Sequence, residues 1–367
     1  MTTGSTKPKS ISETVTYVPG MREQGDGIKC YVESEYAPLK ACMVGNPSSI
    51  IIPDLSTWEM NNMFAHSPDD VRAYLKQHGG QDMKEVDPGK YDQIVKESHA
   101  LAETYRREGV KVIVNEGETP REIVEYNTGW SRQRHLSIYG QSAFEVFGHC
   151  LVSLWEVSVS FGELVHREAM VNIVENDPDA VWLTMPALYP TADKPQLINL
   201  TPGDPRIFPN TIVIGIGLPD PAHIGDFSKP RSSGNELGAE ILRRMMKPFG
   251  WDVQVVYFNT HYAYHLDCVM AVLDEGLLAM PKDCLWTPLP EQYRDWEVIE
   301  VSHEDVMNGA CNNVPLGNKR LVLTEGTELA RTLEKRGWTC IEVPYTTCYR
   351  TFGSGIHCST ASIWREF

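Results

Sequence analysis

Thr351-Phe352-Gly353-Ser354-Gly355-Ile356-His357-Cys358-Ser359-Thr360 brings small residues in on a single cysteine, nine residues from the C-terminus. Glycine-rich backbone turns sharply and comes close to a bound ligand. Cys358 then sits where a small substrate can reach it. It is one cysteine among nine, and the plain alternative is a buried, inert thiol. A nucleophilic thiol needs a base or an electropositive setting to raise its thiolate fraction. Partners elsewhere in the chain therefore decide between the two readings.

His265-Leu266-Asp267-Cys268 lies just before the apolar run Val269 to Leu273. Read as a strand, it turns His265 and Asp267 to the same side. A histidine and a carboxylate so placed can move a proton and hold a cation; read alone, they can equally be a structural hydrogen-bonded pair. His261, His265 and Asp267 also offer metal ligands, but no partner cluster with metal spacing accompanies them, and no metal or other cofactor is expected. Pro202-Gly203-Asp204-Pro205-Arg206 supplies a further carboxylate, which on its own reads as a turn aspartate. Two carboxylates can grip a planar guanidinium by bidentate hydrogen bonds. The bound cation would lower the thiol pKa, and His265 would transfer protons. Cys358, His265, Asp204 and Asp267 together point to covalent chemistry on an amidine-like carbon.

The whole chain is compatible with this. It has 367 residues, 42% hydrophobic and 22% charged, with a formal net charge of −16. That charge argues against broad nucleic-acid binding and suits a soluble enzyme. No apolar run reaches 18 residues, so no membrane span is expected, and the polar N-terminus shows no secretory signal. The scattered cysteines, odd in number and without a CxxC pair, speak against a disulfide framework or a zinc ribbon and for a reducing cytoplasm. There is no GxGxxG or Walker-type loop to support nucleotide binding.

Residues 1–25 read as a flexible tail and 26–367 as a single catalytic domain. Leu39 to Val44 reads as a strand ended by Gly45. The stretch 46–87 reads as irregular, either a flap over a site or a structural insertion. A helix-then-strand step then recurs three times. Asp87-Pro88 opens a helix that stops at Gly109, before the strand Val110 to Val114. Asn235 to Phe249 is a helix with Leu237, Ile241, Leu242 and Met245 on one side, followed by the strand Trp251 to Phe258. Thr327 to Arg336 is a helix stopped by Gly337, followed by Thr339 to Val343. Short apolar strands lie between, at 150–154, 211–215, 269–273, 277–280 and 320–323.

The pieces Glu35-Tyr36-Ala37-Pro38-Leu39, Gly203-Asp204, Ser233-Gly234-Asn235-Glu236-Leu237-Gly238, His265-Leu266-Asp267 and Gly353 to Thr360 occur in one order. From about residue 30 to its end the chain resembles the guanidino-group-modifying superfamily, and within it the arginine-dependent amidinotransferases such as the glycine and inosamine-phosphate enzymes. The resemblance implies an α/β pentein fold (an α/β-propeller): five pseudo-symmetric ββαβ modules around a central active site. It implies that Cys358 attacks the guanidino carbon of L-arginine, that ornithine leaves, and that the amidino group passes to an acceptor amine. His265 would protonate the leaving amine and deprotonate the incoming one, Asp204 would support that histidine or the guanidinium, and Asp267 would hold the guanidinium. Ser354 and Gly355 would line the substrate site, and Asn313 lies where relatives carry an asparagine near it. A homodimer is compatible with the resemblance.

One departure stands out. Amidinotransferases usually carry Pro-Arg-Asp where this chain reads Gly140-Gln141-Ser142-Ala143-Phe144-Glu145. The aspartate position falls near Ser142. Either Glu145 replaces it or Gln141 and Ser142 offer neutral hydrogen bonds. Loss of one such carboxylate would weaken arginine binding by about 1.5–3 kcal/mol. Amidino transfer is the first reading. The alternatives are a guanidine hydrolase of the same superfamily, resembling arginine deiminases and dihydrolases, and a non-catalytic guanidino-binding protein.

Overall fold

The computed structural model describes residues 27–65, 67–114, 121, 135–154, 162–186, 198–353 and 355–367. The tail 1–25 and Ser354 lie outside them, as does the side chain of Ser142. Each recurring helix-then-strand step is the second half of a larger unit. Strands Pro205–Phe208 and Thr211–Leu218 form an antiparallel hairpin, helix Glu236–Met246 crosses back, and Asp252–Asn259 pairs parallel to Thr211–Leu218. Glu145–Phe147, Cys150–Ser153, helix Gly162–Asn176 and Val181–Thr184 repeat the arrangement. So do Val314–Gly317, Arg320–Thr324, helix Glu328–Glu334 and Thr339–Val343. In the unit Ala271–Asp274, Leu277–Met280 and Glu297–Glu300, the short turn of 3-10 helix Glu291–Tyr293 stands in the crossover.

The two ends of the chain build the fifth unit together. Thr360–Arg365 pairs antiparallel with Leu39–Val44, helix Pro88–Arg107 follows, and Lys111–Val114 runs parallel to Leu39–Val44. Tyr31–Val32 adds a parallel edge to the C-terminal strand. These are the five ββαβ modules implied by the resemblance.

Local chemistry sets the crossover helices. Asp87 accepts a hydrogen bond from the Lys90 amide at the N-terminus of helix Pro88–Arg107, and a proline at its first position has no N–H to leave unpaired. Asn235 caps the amide of Gly238, and Thr327 caps that of Ala330. Ile94, Leu101 and Tyr105 form the buried stripe of the first helix. In Glu236–Met246 the buried set is Gly238, Ala239, Leu242 and Met246, while Leu237 is exposed. The apolar stripe is therefore rotated by one position from the sequence expectation.

Two further expectations change. The stretch 46–87 is not irregular: it carries strand Ile50–Ile51 and helices Trp58–Met63, Asp69–His78 and Met83–Val86. His265 and Asp267 are not alternate residues of a strand, because Leu266–Cys268 is a turn of 3-10 helix and the strand begins only at Ala271. No described helix is long and apolar enough to cross a membrane.

Candidate active site

The first strand of each unit begins at Thr360, Glu145, Pro205, Ala271 or Val314. The polar residues of interest stand at or just before these starts: Cys358, Gln141 and Glu145, Asp204, Asp267 and Cys268, and Asn312. Five equivalent positions in a ring of five units face one another, which is how residues far apart in sequence come together.

Asp267 is the hub. It is wholly buried and accepts hydrogen bonds at Oδ2 from Cys358 Sγ (3.1 Å), Asn312 Nδ2 (3.1 Å) and His357 Nδ1 (3.1 Å). Its Oδ1 accepts from Cys268 Sγ at 3.4 Å. Burial opposes its ionisation, but the hydrogen bond from His357 and the charges of His265 and Arg206 outweigh it and hold the carboxyl below its ordinary range. Asn312 Nδ2 also lies 3.1 Å from Cys358 Sγ and 3.4 Å from Cys268 Sγ, while its Oδ1 accepts from the amides of His357 (2.9 Å) and Cys358 (3.3 Å). Asn312 thereby fixes both the backbone and the sulfur of Cys358. A Cβ on Gly355 would stand 2.7 Å from Asn312 Oδ1, so a side chain there would displace this clamp.

Cys358 is 7% exposed. Burial, then the Asp267 charge, pushes its thiol above its ordinary value, and a hydrogen bond from Cys268 pulls it back. Without a ligand the thiol therefore stays protonated at neutral pH and donates to Asp267. A cation placed against Asp267 would reverse this balance.

His357, adjacent to the cysteine, has its tautomer set by its neighbours. Arg206 Nη2 lies 2.6 Å from Nε2, and a guanidinium only donates, so Nε2 accepts and Nδ1 carries the proton toward Asp267 Oδ2 and Gln141 Oε1 (3.3 Å). Burial and the Arg206 charge lower the His357 pKa, which keeps the ring neutral. Arg206, 1% exposed, is paired with Glu35 at 2.8 Å. A buried chain thus runs Glu35–Arg206–His357–Asp267–Cys358.

His265 is positioned by a different segment. Its ring packs on the backbone of Gly203: a Cβ there would be 2.6 Å from His265 Cγ. Asp204, the next residue, is buried and accepts from the Thr201 amide (2.8 Å), the Thr201 hydroxyl (3.0 Å) and the Ser233 hydroxyl. Burial raises its pKa to about 6, against the opposing effects of the His265 charge and these hydrogen bonds. His265 and Cys268 both line a cavity of about 550 Å³. Met63, Phe64, Pro68 and Val71 form the facing wall, so the stretch 46–87 supplies one side of the cavity.

Glu145 is 6% exposed and accepts a 2.6 Å hydrogen bond from Gln141, which also donates to the Pro202 carbonyl at 3.1 Å. Burial pushes its carboxyl well above the ordinary range, opposed by Gln141 and Arg206. Gln141 thus joins Glu145 to His357. Asn313, expected near the site, instead turns its Nδ2 to the Ala310 carbonyl at 2.7 Å. Asn312 is the one that meets Cys358, because the turn before Val314 aims residue 312 at the cysteine. His357, Arg206, Glu35 and Cys268 all sit inside stretches singled out from the sequence, yet the side chains that meet His357, Arg206 and Glu35 are remote in sequence. Among the described residues, Asp267, Cys268 and Cys358 form a group whose metal-type ligand atoms lie within 4.8 Å of one another; His261 and His265 are not part of it.

No protein-family model and no curated protein matches this sequence. Solved structures do. SxtG, an amidinotransferase from Microseira wollei in the saxitoxin biosynthetic pathway, superposes with a TM-score of 0.69 at 15% identity, covering 93% of this chain and 98% of that one. The inosamine-phosphate amidinotransferase StrB1 from Streptomyces griseus gives 0.68 at 18% identity, with 93% and 98% covered. The N-terminal domain of ArgZ, a cyanobacterial arginine dihydrolase of the ornithine–ammonia cycle, gives 0.56 at 16% identity, with 89% and 97% covered. The fold is the pentein fold, shared with proteins that transfer amidino groups and with proteins that hydrolyse guanidines.

Proposed function

We propose that this protein is an amidinotransferase that moves the amidino group of L-arginine, or a related guanidine, to an acceptor amine through Cys358. The observation that carries this reading is the placement of the Cys358 sulfur 3.1 Å from a buried, ionised Asp267, beside a cavity lined by His265. A guanidinium bound to Asp267 takes over the hydrogen bonds that the thiol and Asn312 now make. Its positive charge favours the thiolate, and the thiol proton passes to His265.

The sulfur then attacks the guanidino carbon. The bond from that carbon to the alkyl-bearing nitrogen breaks, and His265 returns the proton to the departing amine. Asn312 Nδ2 supports the thiolate before and after attack. An acceptor amine gives a proton to His265, attacks the amidino carbon and releases Cys358. Asp204 steadies the charged form of His265. Glu145, carried on Gln141, is the remaining acidic group for the guanidinium in place of the missing Pro-Arg-Asp aspartate.

The test is mass spectrometry of the wild-type protein and Cys358→Ala with L-arginine, then with a panel of amines. A gain of about 42 Da on Cys358, with ornithine release and discharge onto an amine, is expected for covalent amidino transfer. The adduct should be absent in a folded Cys358→Ala. Citrulline or urea without an amine would make the protein a hydrolase, and turnover by Cys358→Ala would remove the covalent mechanism.

A further inference from the structure

The site contains a second thiol for which the transfer reaction has no step. Cys268 is 2% exposed and follows Asp267 in the same 3-10 turn. Its sulfur and that of Cys358 lie within 4.8 Å of each other and of an Asp267 oxygen. The two thiols divide one carboxylate, Cys268 donating to Oδ1 and Cys358 to Oδ2, and both touch the same Asn312 amide. All nine cysteines are free thiols. Cys268 also lines the cavity, and Cys358 beside it is 7% exposed.

We propose that Cys358 and Cys268 form a reversible, inactivating disulfide, with Cys358 as the site of attack on a small hydroperoxide and Cys268 as the resolving thiol. The Cys358 sulfur attacks the distal oxygen of the hydroperoxide as its thiol proton passes to Asp267 Oδ2, the acceptor of its S–H. An S–O bond forms, the O–O bond breaks, and the leaving alkoxide or hydroxide takes one proton, giving a sulfenic acid at Cys358. Cys268 then attacks that sulfur. The S–S bond forms, the S–O bond breaks, and hydroxide leaves as water with the proton lost by Cys268. Asp267 Oδ1, already the acceptor of the Cys268 S–H, guides that proton. The hydroperoxide is reduced by two electrons and the two thiols are oxidised by the same number.

The two sulfurs start within reach of side-chain rotation. A change of staggered rotamer shifts a cysteine sulfur by on the order of 3 Å. A separation within 4.8 Å can therefore contract to the bond length of about 2 Å by side-chain rotation. The bond ties up the nucleophile and removes both thiol donors from Asp267, so a guanidine could no longer be attacked. A second thiol also protects Cys358, because the sulfenic acid is intercepted before it oxidises further.

The experiment treats the full-length protein with hydrogen peroxide in metal-free buffer and digests it without reduction. A loss of about 2 Da and a peptide linking Cys268 to Cys358 are expected, both reversed by dithiothreitol. Iodoacetamide labelling of Cys358 should fall at least tenfold and recover on reduction. Cys268→Ser should instead accumulate an irreversible gain of about 32 Da on Cys358. Sulfinic acid on Cys358 in the wild type without the linked peptide, or a disulfide joining either residue to another cysteine, overturns the proposal. The peptide map decides even where Cys268→Ser does not fold. It also reads the thiols directly, so failure of the amidino-transfer reading leaves this result standing, and the converse holds.

Discussion

Asn312 and Asn313 are neighbours of one residue type with sharply different surroundings, and substituting each by alanine separates them. Asn312→Ala removes the acceptor for the Cys358 amide and one of the two acceptors for the His357 amide, which retains the Asn312 carbonyl at 3.4 Å. One buried N–H left without a partner costs about 1–3 kcal/mol, and loss of the hydrogen bond to ionised Asp267 adds about 1.5–3 kcal/mol. Destabilisation of about 3–5 kcal/mol is expected, read by urea unfolding. The same substitution takes a donor from the developing Cys358 thiolate. A charged hydrogen bond of about 1.5–3 kcal/mol corresponds to about 10- to 150-fold in rate. The assay is single-turnover formation of the amidino-cysteine, followed by intact mass. Asn313→Ala loses one hydrogen bond to Ala310, about 1 kcal/mol, and should leave the rate within about threefold. If Asn312→Ala forms the adduct as fast as wild type, or Asn313→Ala is equally impaired, the assignment of Asn312 as the clamp of the nucleophile fails.

Two other outcomes follow from buried charge. Arg206→Met removes the ion-pair partner of Glu35, which is 6% exposed and keeps the Ile207 amide, and should destabilise the protein by up to about 3–5 kcal/mol; adding Glu35→Gln should recover much of that loss in denaturant unfolding. Asp204 has a folded value of about 6 against an unfolded one of about 3.9, so the native state binds the proton more tightly. Its stabilising contribution is complete below about pH 4 and is lost as pH rises through about 6. Asp204→Asn should flatten that segment of the stability–pH curve in urea titrations between pH 4 and 7, and an unchanged slope would refute the raised value.

Much of the fold is local enough to be legible. The capped starts at Asp87, Asn235 and Thr327, and the glycine stops at 109, 250 and 337, act within a few residues of themselves. The stretch 46–87 is less readable because two of its three helices are short: six residues at Trp58–Met63 and four at Met83–Val86. Segments that short carry too little periodicity to be told from loop. Leu237 misled because an amphipathic stripe fixes a face only to within about one residue, and packing against the sheet chooses the register.

For the site, the sequence alone determined the kinds of group present: a cysteine in a glycine-rich turn, a His-x-Asp and a turn aspartate ahead of a strand. Their types set what chemistry is possible, and that information is carried by the side chains themselves. Only the tertiary structure decided that Asp267 meets Cys358, that Asn312 rather than Asn313 holds it, that His357 is locked by Arg206, and that Cys268 faces the nucleophile. The reason is geometric. These residues stand before or within the first strands of four different units, and which side chain points inward depends on how each strand is seated in the ring. One residue of register reverses the answer, and the contact that sets the register lies tens to hundreds of residues away.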